Sequence, residues 1–294
     1  MKIPFNTLQA LARAMVIGLL VMPLIRTPAS GAETTPEFFA SLQDRLIRDG
    51  FNAEDIHGLY AQPGVGFEIQ GVALFFRHSE SRLDYGQFLK NRRIQMARDY
   101  MIVHSGAFAS AEDQYGVPRQ IITAIMLVET QLGMLVGNQT VFNILSTMAA
   151  LDDPAVRKIF WKELPREGRL TRKAFEKKAD RKSSWAYNEL KALLQYVQAE
   201  KMDPVAIRGS YAGAMGYCQF MPSNALQLGV DGNGDARIDL FDHTDAIASI
   251  GNYLKHHGWK PGLTRQQQFQ VILKYNYSKP YASTILKIAD QLKG

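Results

Sequence analysis

The sequence predicts a mainly α-helical protein with only minor β-structure. Apolar residues recur at helical spacing along most of the chain, whereas alternating strand patterns are weak. Of the 294 residues, 46% are hydrophobic and 21% are charged, which are ordinary values for one sizeable or two small globular domains. We therefore expect a substantial buried core.

The first residues have the pattern of an export signal. Lys2 and Arg13 are the only charged residues before the end of the apolar run from Ala14 to Ile25, and that run is short for a membrane span. We expect cleavage after Ala32, which makes residues 1–32 a signal peptide; an uncleaved anchor is the alternative. Export argues against nucleic acid as a partner, and the sequence contains no recognised nucleic-acid-binding motif.

Residues 33–112 are predicted to form an N-terminal helical segment. Helical spacing favours one or two helices from Thr35 to Ile56 and continued helix from Ser79 to Ala107. Between these, the segment from Val65 to Phe75 is expected to form a short strand pair or an extended arm.

An apolar helix is predicted between Pro118 and Gly133. A proline in the first helical turn removes no hydrogen bond that the helix needs, so Pro118 marks the start. Gly133 supplies the stop. Within the run IITAIMLVETQLG, Glu129 shares a helical stripe with Ile122, Ile125 and Met126, beside a second stripe that is entirely apolar.

Glu129 is the candidate catalytic group of the chain. Burial among hydrocarbon disfavours the ionised form of a carboxyl group, and a carboxyl group that keeps its proton near neutral pH is what a general acid requires. The alternative is a glutamate at the exposed edge of a core helix, or one paired with an arginine from elsewhere in the chain. The apolar run alone leaves both interpretations open.

The positive charge of the protein is concentrated in one segment. The net charge is +6, and residues Arg157 to Lys182 contain eleven Lys or Arg against four Asp or Glu, a local charge of +7. Aromatic and apolar residues between the charges indicate helices with one packed side and one cationic side. A solvated face is the default interpretation, and a surface for an anionic polymer is the alternative.

The segment from Gly209 to Asn224 is rich in small residues, which let backbone segments approach each other or a ligand closely. Tyr211, Tyr217 and Gln219 add polar groups and ring faces that suit a sugar. The composition is typical of the wall of a binding cleft. It is also compatible with a tightly packed turn followed by a helix start.

The loop that begins at Asp231 resembles an EF-hand calcium loop. Oxygen-bearing side chains recur at alternate positions, Asp231, Asn233 and Asp235, so one loop can surround a hard cation. Two residues depart from the pattern: Ala236 replaces the glycine of the sharp turn, and Asp242 replaces the closing glutamate. We expect calcium in a structural role, with a surface loop of Asx turns as the alternative.

Cys218 is the only cysteine, so no internal disulfide can form and no cysteine near the N-terminus can carry a lipid. No histidine lies near it in sequence, and its neighbours are glycine-rich. We therefore interpret Cys218 as a small packed residue rather than a nucleophile.

Three segments resemble the signatures of the membrane-bound lytic murein transglycosylase B family. They are VETQLG around Glu129, GSYAGAMGYCQFMPSN from Gly209 to Asn224, and YNYSKPYA from Tyr275 to Ala282. The resemblance runs from about Phe39 to the C-terminus. It implies a lysozyme-like, largely helical catalytic core and non-hydrolytic cleavage of the glycan strands of peptidoglycan.

The resemblance also implies a domain organisation and a location. Residues 113–294 would form the lysozyme-like catalytic region, with the basic helical segment inserted at about 154–203 and the EF-hand-like loop at 231–245. The protein is expected to be a soluble periplasmic monomer that acts on glycan strands. Cell-wall synthesis proteins are further candidate partners.

In this family a single glutamate serves as acid and base, a role that maps onto Glu129 and needs no cofactor. The product would be a 1,6-anhydromuramic end, formed by cleavage between MurNAc and GlcNAc. The three segments contain no second carboxylate of the kind that a glycosidase normally uses.

The other site residues also follow from the family pattern. Substrate-binding residues map onto Ser210, Gln219, Tyr253, Asn276 and Tyr281, although Tyr253 is equally compatible with a packed core tyrosine. Calcium ligands map onto Asp231, Asn233, Asp235, the carbonyl of Arg237, Asp242 and Asp245. A lysozyme-type hydrolase and a non-catalytic wall-binding protein remain the rival functions.

Overall fold

The computed structural model describes residues 36–77, 84–164 and 170–293 of the chain. The predicted signal peptide, residues 1–32, lies outside the described residues. Within them, thirteen α-helices and one two-stranded antiparallel sheet account for the regular structure. The mainly helical prediction is therefore confirmed.

In chain order, the helices are α1 (Pro36–Arg48), α2 (Ala53–Tyr60), α3 (Ile69–Arg77), α4 (Asn91–Val103), α5 (Ser105–Tyr115), α6 (Arg119–Thr130), α7 (Val141–Ala150), α8 (Pro154–Glu163), α9 (Arg172–Ala199), α10 (Pro222–Leu228), α11 (His243–His256), α12 (Arg265–Tyr275) and α13 (Lys279–Gln291). A 3-10 helix, Tyr85–Leu89, precedes α4. Strand β1 (Gln139–Thr140) precedes α7, and strand β2 (Arg208–Gly209) follows α9.

The chain divides into two compact units. Among the described residues, unit 1 contains 84–136 and 214–293, and unit 2 contains 36–77, 137–164 and 170–213. The boundaries between the two units differ from the predicted domain boundaries. The domain organisation predicted from the sequence stays a prediction.

The core of unit 2 is built on α9, a helix of 28 residues that packs along α7. Phe75 of α3 stacks on Trp185 of α9, with ring centroids 5.7 Å apart. Phe160 of α8 stacks on Phe175 of α9 at 5.9 Å. Aromatic pairs of this kind bury much apolar area, so α3, α8 and α9 share one core.

Helix α3 corrects one expectation. A strand pair or extended arm was expected from Val65 to Phe75, but the structure places a helix from Ile69 onward. Val72, Phe75 and Phe76 are buried, and their spacing brings them to one face of that helix. Packing against the aromatic residues of α8 and α9 decides the conformation, and that information lies elsewhere in the chain.

The basic segment forms α8 and α9, as predicted, with one packed side and one cationic side. Phe160 and Phe175 are fully buried, whereas Lys158, Lys162 and Lys173 are exposed. These three lysines therefore lie on the solvent side of the helices.

Sheet pairing in unit 2 sets the start of the glycine-rich segment. Gln139 of β1 lies opposite Gly209 of β2. A Cβ atom on Gly137 would lie 2.1 Å from the carbonyl oxygen of Gly209, so the two backbones can approach this closely only with glycine at position 137. Ser210 follows directly after this pairing.

Helix α6 is the central element of unit 1. Every residue from Ile121 to Thr130 is buried, and α6 packs against α4, α5, α11 and α13. Its start agrees with the prediction to within one residue, because Pro118 is the N-cap. None of the helices in the described part of the chain has the length and apolar composition needed to cross a membrane.

A carboxylate from the preceding helix caps α6. Glu112 of α5 accepts a hydrogen bond from the backbone N–H of Arg119 at 2.7 Å and two from its guanidinium at 2.8 and 2.5 Å. Burial alone would raise the pKa of Glu112, but the bonds from Arg119 outweigh it and lower the pKa. The charged carboxylate complements the positive end of the α6 dipole and fixes where the helix begins.

Candidate active site

Glu129 lies in the last turn of α6 and is 4% exposed. The alternative of a glutamate at the exposed edge of a core helix is therefore wrong. Its carboxylate oxygen Oε1 accepts a hydrogen bond from the hydroxyl of Tyr281 in α13 at 2.6 Å, and Tyr281 is also buried. An acid and a phenol thus meet inside unit 1, at the end of its central helix.

The hydroxyl of Tyr281 is the donor in this pair. Burial raises the pKa of Tyr281 well above its usual value, and the neighbouring charge of Glu129 raises it further. The phenol consequently keeps its proton at neutral pH and stabilises a negative charge on Glu129. Ser278, the N-cap of α13, holds the first turn of that helix by accepting from the backbone N–H of Tyr281 at 3.3 Å.

The chain reverses sharply after Glu129. Gln131, Leu132 and Gly133 all have positive φ, at 51°, 64° and 90°. Non-glycine residues in this region cost roughly 1 kcal/mol each, so neighbouring contacts must hold the turn. The hydroxyl of Thr130 does so: it donates to the carbonyl of Tyr217 at 2.9 Å and accepts from the N–H of Gly133 at 3.0 Å.

Gly133 ends the predicted run, although α6 itself stops at Thr130. A Cβ atom on Gly133 would lie 2.9 Å from Cε1 of His243 and 3.2 Å from the ring of Tyr217. His243 stacks on Tyr217 at 4.5 Å and shares a hydrogen bond with the hydroxyl of Tyr100 at 3.0 Å. Sequence reasoning missed both His243 and Tyr100, because neither belongs to a motif around Glu129.

Residues 214–224 form a tight turn followed by the start of α10. Met215 and Phe220 exchange two backbone hydrogen bonds at 2.9 and 3.0 Å. Gly216, at the turn, has a φ of 73°, and a Cβ atom there would lie 2.4 Å from Cβ of Leu240. This part of the segment therefore has the packed-turn structure that the composition left open.

Gln219 is buried in this turn. Its Nε2 donates to the carbonyls of Val136 at 3.1 Å and Gly216 at 3.0 Å, so the amide nitrogen helps to hold the turn. Ser210 belongs to unit 2, where its hydroxyl oxygen accepts from the N–H of Ala212 at 3.2 Å.

Cys218 is fully buried, and burial raises its pKa well above the usual value of a thiol. Its interpretation as a packed residue rather than a nucleophile fits this environment. The carbonyl of Cys218 accepts a hydrogen bond from the hydroxyl of Tyr275 at 2.5 Å. Tyr275 was not among the predicted site residues, although its position inside YNYSKPYA was a usable signal.

Tyr253 is placed as a packed tyrosine. It is 1% exposed, its hydroxyl donates to the carbonyl of Lys274 at 2.6 Å, and its ring lies 4.9 Å from Tyr275 and 5.3 Å from Phe220. Its predicted role in substrate binding stays a prediction.

Asn276 differs from its neighbours. It is 1% exposed, and neither polar atom of its side-chain amide has a hydrogen-bond partner within the described residues. A buried amide in this state costs free energy, which a ligand able to bond with it would recover.

The loop from Asp231 is organised by backbone donors. Asp231 accepts from the N–H groups of Gly234, Asp235 and Ala236 at 2.6, 3.2 and 2.8 Å. Asn233 accepts from the N–H of Asp235 at 2.9 Å. The φ of Ala236 is 66°, so the residue that replaces the usual glycine adopts the left-handed conformation.

The closing side of the loop holds two more of the predicted ligands, Asp242 and Asp245. Asp242 is the N-cap of α11 and accepts from Thr244 and Asp245. Asp245 is completely buried and accepts three backbone N–H groups, from Gly232, Asn233 and Asp239. Burial is the main reason that the pKa of Asp245 is raised.

In the part of the chain that the structure describes, no three His, Cys, Asp or Glu side chains are grouped closely enough to hold a metal ion. The predicted calcium ligands thus have the oxygen chemistry that calcium prefers, but they are engaged by the backbone. Arg237 contributes its backbone N–H to Asp235 at 2.9 Å.

A helical unit that buries one glutamate at the end of its central helix is compatible with a lysozyme-like catalytic core. Comparison with known proteins agrees. The chain belongs to the transglycosylase SLT domain family, whose profile matches residues 34–268. The family resemblance stated from the sequence is thereby confirmed.

The chain is also similar to individual proteins. It is 33% identical over 176 residues to the membrane-bound lytic murein transglycosylase B of Escherichia coli (strain K12). That match covers 60% of this chain and 41% of the E. coli protein, so it spans less than half of the relative's length.

Solved structures share the fold. The soluble lytic transglycosylase SltB1 of Pseudomonas aeruginosa is 25% identical, with a TM-score of 0.70 over 87% of this chain and 98% of that chain. SltB3 of P. aeruginosa in complex with NAG-anhNAM-pentapeptide is 21% identical, with a TM-score of 0.68 over 90% and 80%. The E. coli lytic transglycosylase Slt35 in complex with calcium is 23% identical, with a TM-score of 0.65 over 93% and 98%. The predicted lysozyme-like fold is therefore confirmed.

The bond between Tyr281 and Glu129 generates the first prediction. Tyr281→Phe removes one donor to a buried carboxylate, which is expected to slow glycan cleavage about tenfold and to weaken binding to cell-wall sacculi by a smaller factor. Release of soluble muropeptides and co-sedimentation with sacculi measure the two quantities.

The matched control is Tyr60→Phe, which removes a buried hydroxyl bonded to Ser146 in unit 2. If both variants cleave as fast as the unmodified protein, the phenol has no part in the reaction.

Proposed function

We propose that this protein is a lytic transglycosylase of the bacterial cell wall. It cleaves the β-1,4 bond between MurNAc and GlcNAc in peptidoglycan and leaves 1,6-anhydromuramic ends. Glu129 is the single acid and base. The observation that carries the proposal is the burial of Glu129 at the end of α6 with the hydroxyl of Tyr281 on its Oε1, in a chain that belongs to the transglycosylase SLT domain family.

The reaction needs one proton carrier. Protonated Glu129 gives its proton to the glycosidic oxygen as the bond between that oxygen and C1 of MurNAc breaks. The N-acetyl group of the sugar stabilises the cationic centre. The carboxylate then takes the proton of the sugar's own 6-hydroxyl as its oxygen bonds to C1, so the acid is regenerated and no water is consumed. Tyr281 stabilises the carboxylate between the two steps.

The inventory of buried acids supports a single-carboxylate mechanism. In the described ranges the buried acidic residues are Glu129, Glu189 and Asp245. Glu189 lies on α9 of unit 2, and Asp245 is occupied by three backbone N–H groups of the loop. Among the described residues of unit 1, Glu129 is thus the buried acid that remains for chemistry.

Substrate binding is proposed for Ser210, Gln219, Tyr253, Asn276 and Tyr281. Asn276 has the strongest support, because its buried amide has hydrogen-bonding capacity that the described residues do not use. Gln219 and Tyr253 are engaged with backbone carbonyls and are expected to shape the site through those bonds. SltB3, which shares the fold, was crystallised with NAG-anhNAM-pentapeptide, a ligand consistent with glycan strands as the substrate.

We also propose a calcium ion in the loop at 231–245, in a structural role. Asp231, Asn233, Asp235, the Arg237 carbonyl, Asp242 and Asp245 would hold it. The donor chemistry and the costly burial of Asp245 support this assignment, and Slt35 was solved in complex with calcium. The ion supplies positive charge that offsets the carboxylates of the loop.

The location and state of the protein complete the proposal. The N-terminal pattern supports export by a cleaved signal peptide into the periplasm. There the protein would act as a soluble monomer on glycan strands, with cell-wall synthesis proteins as candidate partners.

Glu129→Gln tests the acid. The amide keeps the shape of the side chain and still accepts the hydroxyl of Tyr281, but it cannot deliver a proton, so cleavage is expected to fall at least about 100-fold. Melting temperature and sacculus binding should stay unchanged. Glu54→Gln, a substitution of an exposed glutamate, serves as the control. Activity of Glu129→Gln within a few-fold of the unmodified protein would contradict the assignment.

Isotope labelling tests the class of reaction. When sacculi are digested in heavy-oxygen water, ring closure by the 6-hydroxyl yields muropeptides that carry no label and are one water lighter than lysozyme products. Mass spectrometry distinguishes them from labelled reducing ends. Labelled reducing MurNAc as the main product would establish the lysozyme-type hydrolase and leave Glu129 as its acid.

Chelation tests the calcium site. A ligand that binds only the folded protein stabilises it, so calcium at about 100 times its dissociation constant should raise the melting temperature by about 5 °C. Asp231→Asn or Asp235→Asn should remove this gain, and Asp113→Asn, an exposed site outside the loop, should not. Equal melting temperatures of the unmodified protein with calcium and with chelator would refute the site.

A further inference from the structure

The first half of α9 carries a row of exposed cations on one side. Lys173, Lys177 and Arg181 are spaced by four residues, so they follow each other at about 6 Å along the helix. Among the described residues, none of the three has an Asp or Glu within the 4.0 Å of a salt bridge. We call these three residues the cationic stripe.

The two acids in the first half of this helix are occupied by other cations. Arg157 of α8 pairs with Glu176 at 3.2 Å and with Asp180 at 2.5 Å, and Arg172 approaches Glu176 at 3.5 Å. The stripe therefore stays unneutralised even though two carboxylates lie in the same half of the helix.

The other two lysines in the first half of α9, Lys178 and Lys182, contact residues of the protein itself. Lys178 donates to the carbonyl of Phe76 at 2.6 Å. Lys182 is buried, with its Nζ 4.6 Å from the ring of Phe75 and 4.8 Å from that of Trp185. Burial, together with the charges of Arg181 and Lys178, lowers the pKa of Lys182 to about 7. Positive potential is thus concentrated around the stripe.

This arrangement works against the stability of the helix. Like charges four residues apart repel each other on a helix surface. Lys173 also lies in the first turn of α9, at the positive end of the helix dipole, where no acidic residue is present. Alternating positive and negative charges would keep this exposed side of α9 equally soluble. The uniformly positive charge of the stripe therefore indicates an anionic partner.

We propose that the cationic stripe is a docking surface for a carboxylate-rich polymer, namely the peptide side chains of peptidoglycan. This inference rests on the proposed function, which brings the protein to the cell wall. Charge complementarity selects the partner, because several carboxylates on one polymer can face three cations in a row.

The composition of α9 argues against a membrane as the partner. Helices that lie on a lipid surface place bulky apolar side chains beside their cations. The exposed positions of α9 instead carry only charged, polar or alanine residues: Arg172, Lys173, Ala174, Lys177, Asp180, Arg181, Ser184, Asn188, Gln195, Gln198 and Ala199.

The test compares two triple variants that change the net charge equally. Lys173→Gln/Lys177→Gln/Arg181→Gln removes the stripe. Arg92→Gln/Lys260→Gln/Lys287→Gln removes three exposed cations of unit 1 and is the control. Binding to intact sacculi is measured by co-sedimentation at 4 °C over a series of salt concentrations. The same measurement is made on sacculi whose carboxylates have been amidated, and on vesicles that contain phosphatidylglycerol.

The stripe variant should bind intact sacculi about tenfold more weakly than the control at low salt, and the difference should shrink as salt rises. Amidated sacculi should bind both variants equally. The melting temperature of the stripe variant should be equal or higher, because repulsion along the helix is removed. Binding within twofold of the control overturns the proposal, as does a loss confined to phosphatidylglycerol vesicles.

Binding is measured independently of cleavage, so the two proposals can fail separately. Weaker binding of the stripe variant supports the docking surface even if Glu129→Gln still cleaves. Unchanged binding of the stripe variant rejects the docking surface even if Glu129→Gln is inactive.

Discussion

The hydrogen bond between the hydroxyl of Tyr281 and Oε1 of Glu129 joins residues 152 positions apart, and it sets the architecture of unit 1. A carboxylate inside an apolar helix is unfavourable unless a donor reaches it. To supply that donor, α13 must lie against the end of α6, and its first turn must be fixed by Ser278. The bond between Glu112 and Arg119 fixes the other end of α6, so the acid is positioned from both directions.

Three hydrogen bonds explain why the three sequence signatures occur together. Thr130, next to Glu129, donates to the carbonyl of Tyr217 in the glycine-rich segment. Tyr275 donates to the carbonyl of Cys218 in the same segment, and Tyr281 donates to Glu129. Each of the three signatures is thus joined to another by a hydrogen bond. The left-handed turn after Thr130 is sustained by this set of contacts, because the turn alone is strained.

Local patterns were sufficient to predict the elements whose causes are local. The start of α6 at Pro118 and the two-sided helices of the basic segment both follow from neighbouring residues. The helical conformation of Ile69–Arg77 depends instead on rings of α8 and α9, and the use of Asp242 as a helix cap depends on where α11 begins. Tyr100 and His243 meet across 143 positions, a contact that no local pattern indicates.

The polar groups of unit 1 differ in how far the fold itself uses them. The hydroxyls of Tyr253 and Tyr275 and the amide nitrogen of Gln219 all donate to backbone carbonyls, so they stabilise turns and helix ends. The amide of Asn276 has no such partner among the described residues, although it is equally buried. Folding gains nothing from burying that amide, since its lost hydration is not replaced. A ligand that bonds to this amide would recover that cost, and this is the physical basis of the proposal that Asn276 contacts the substrate.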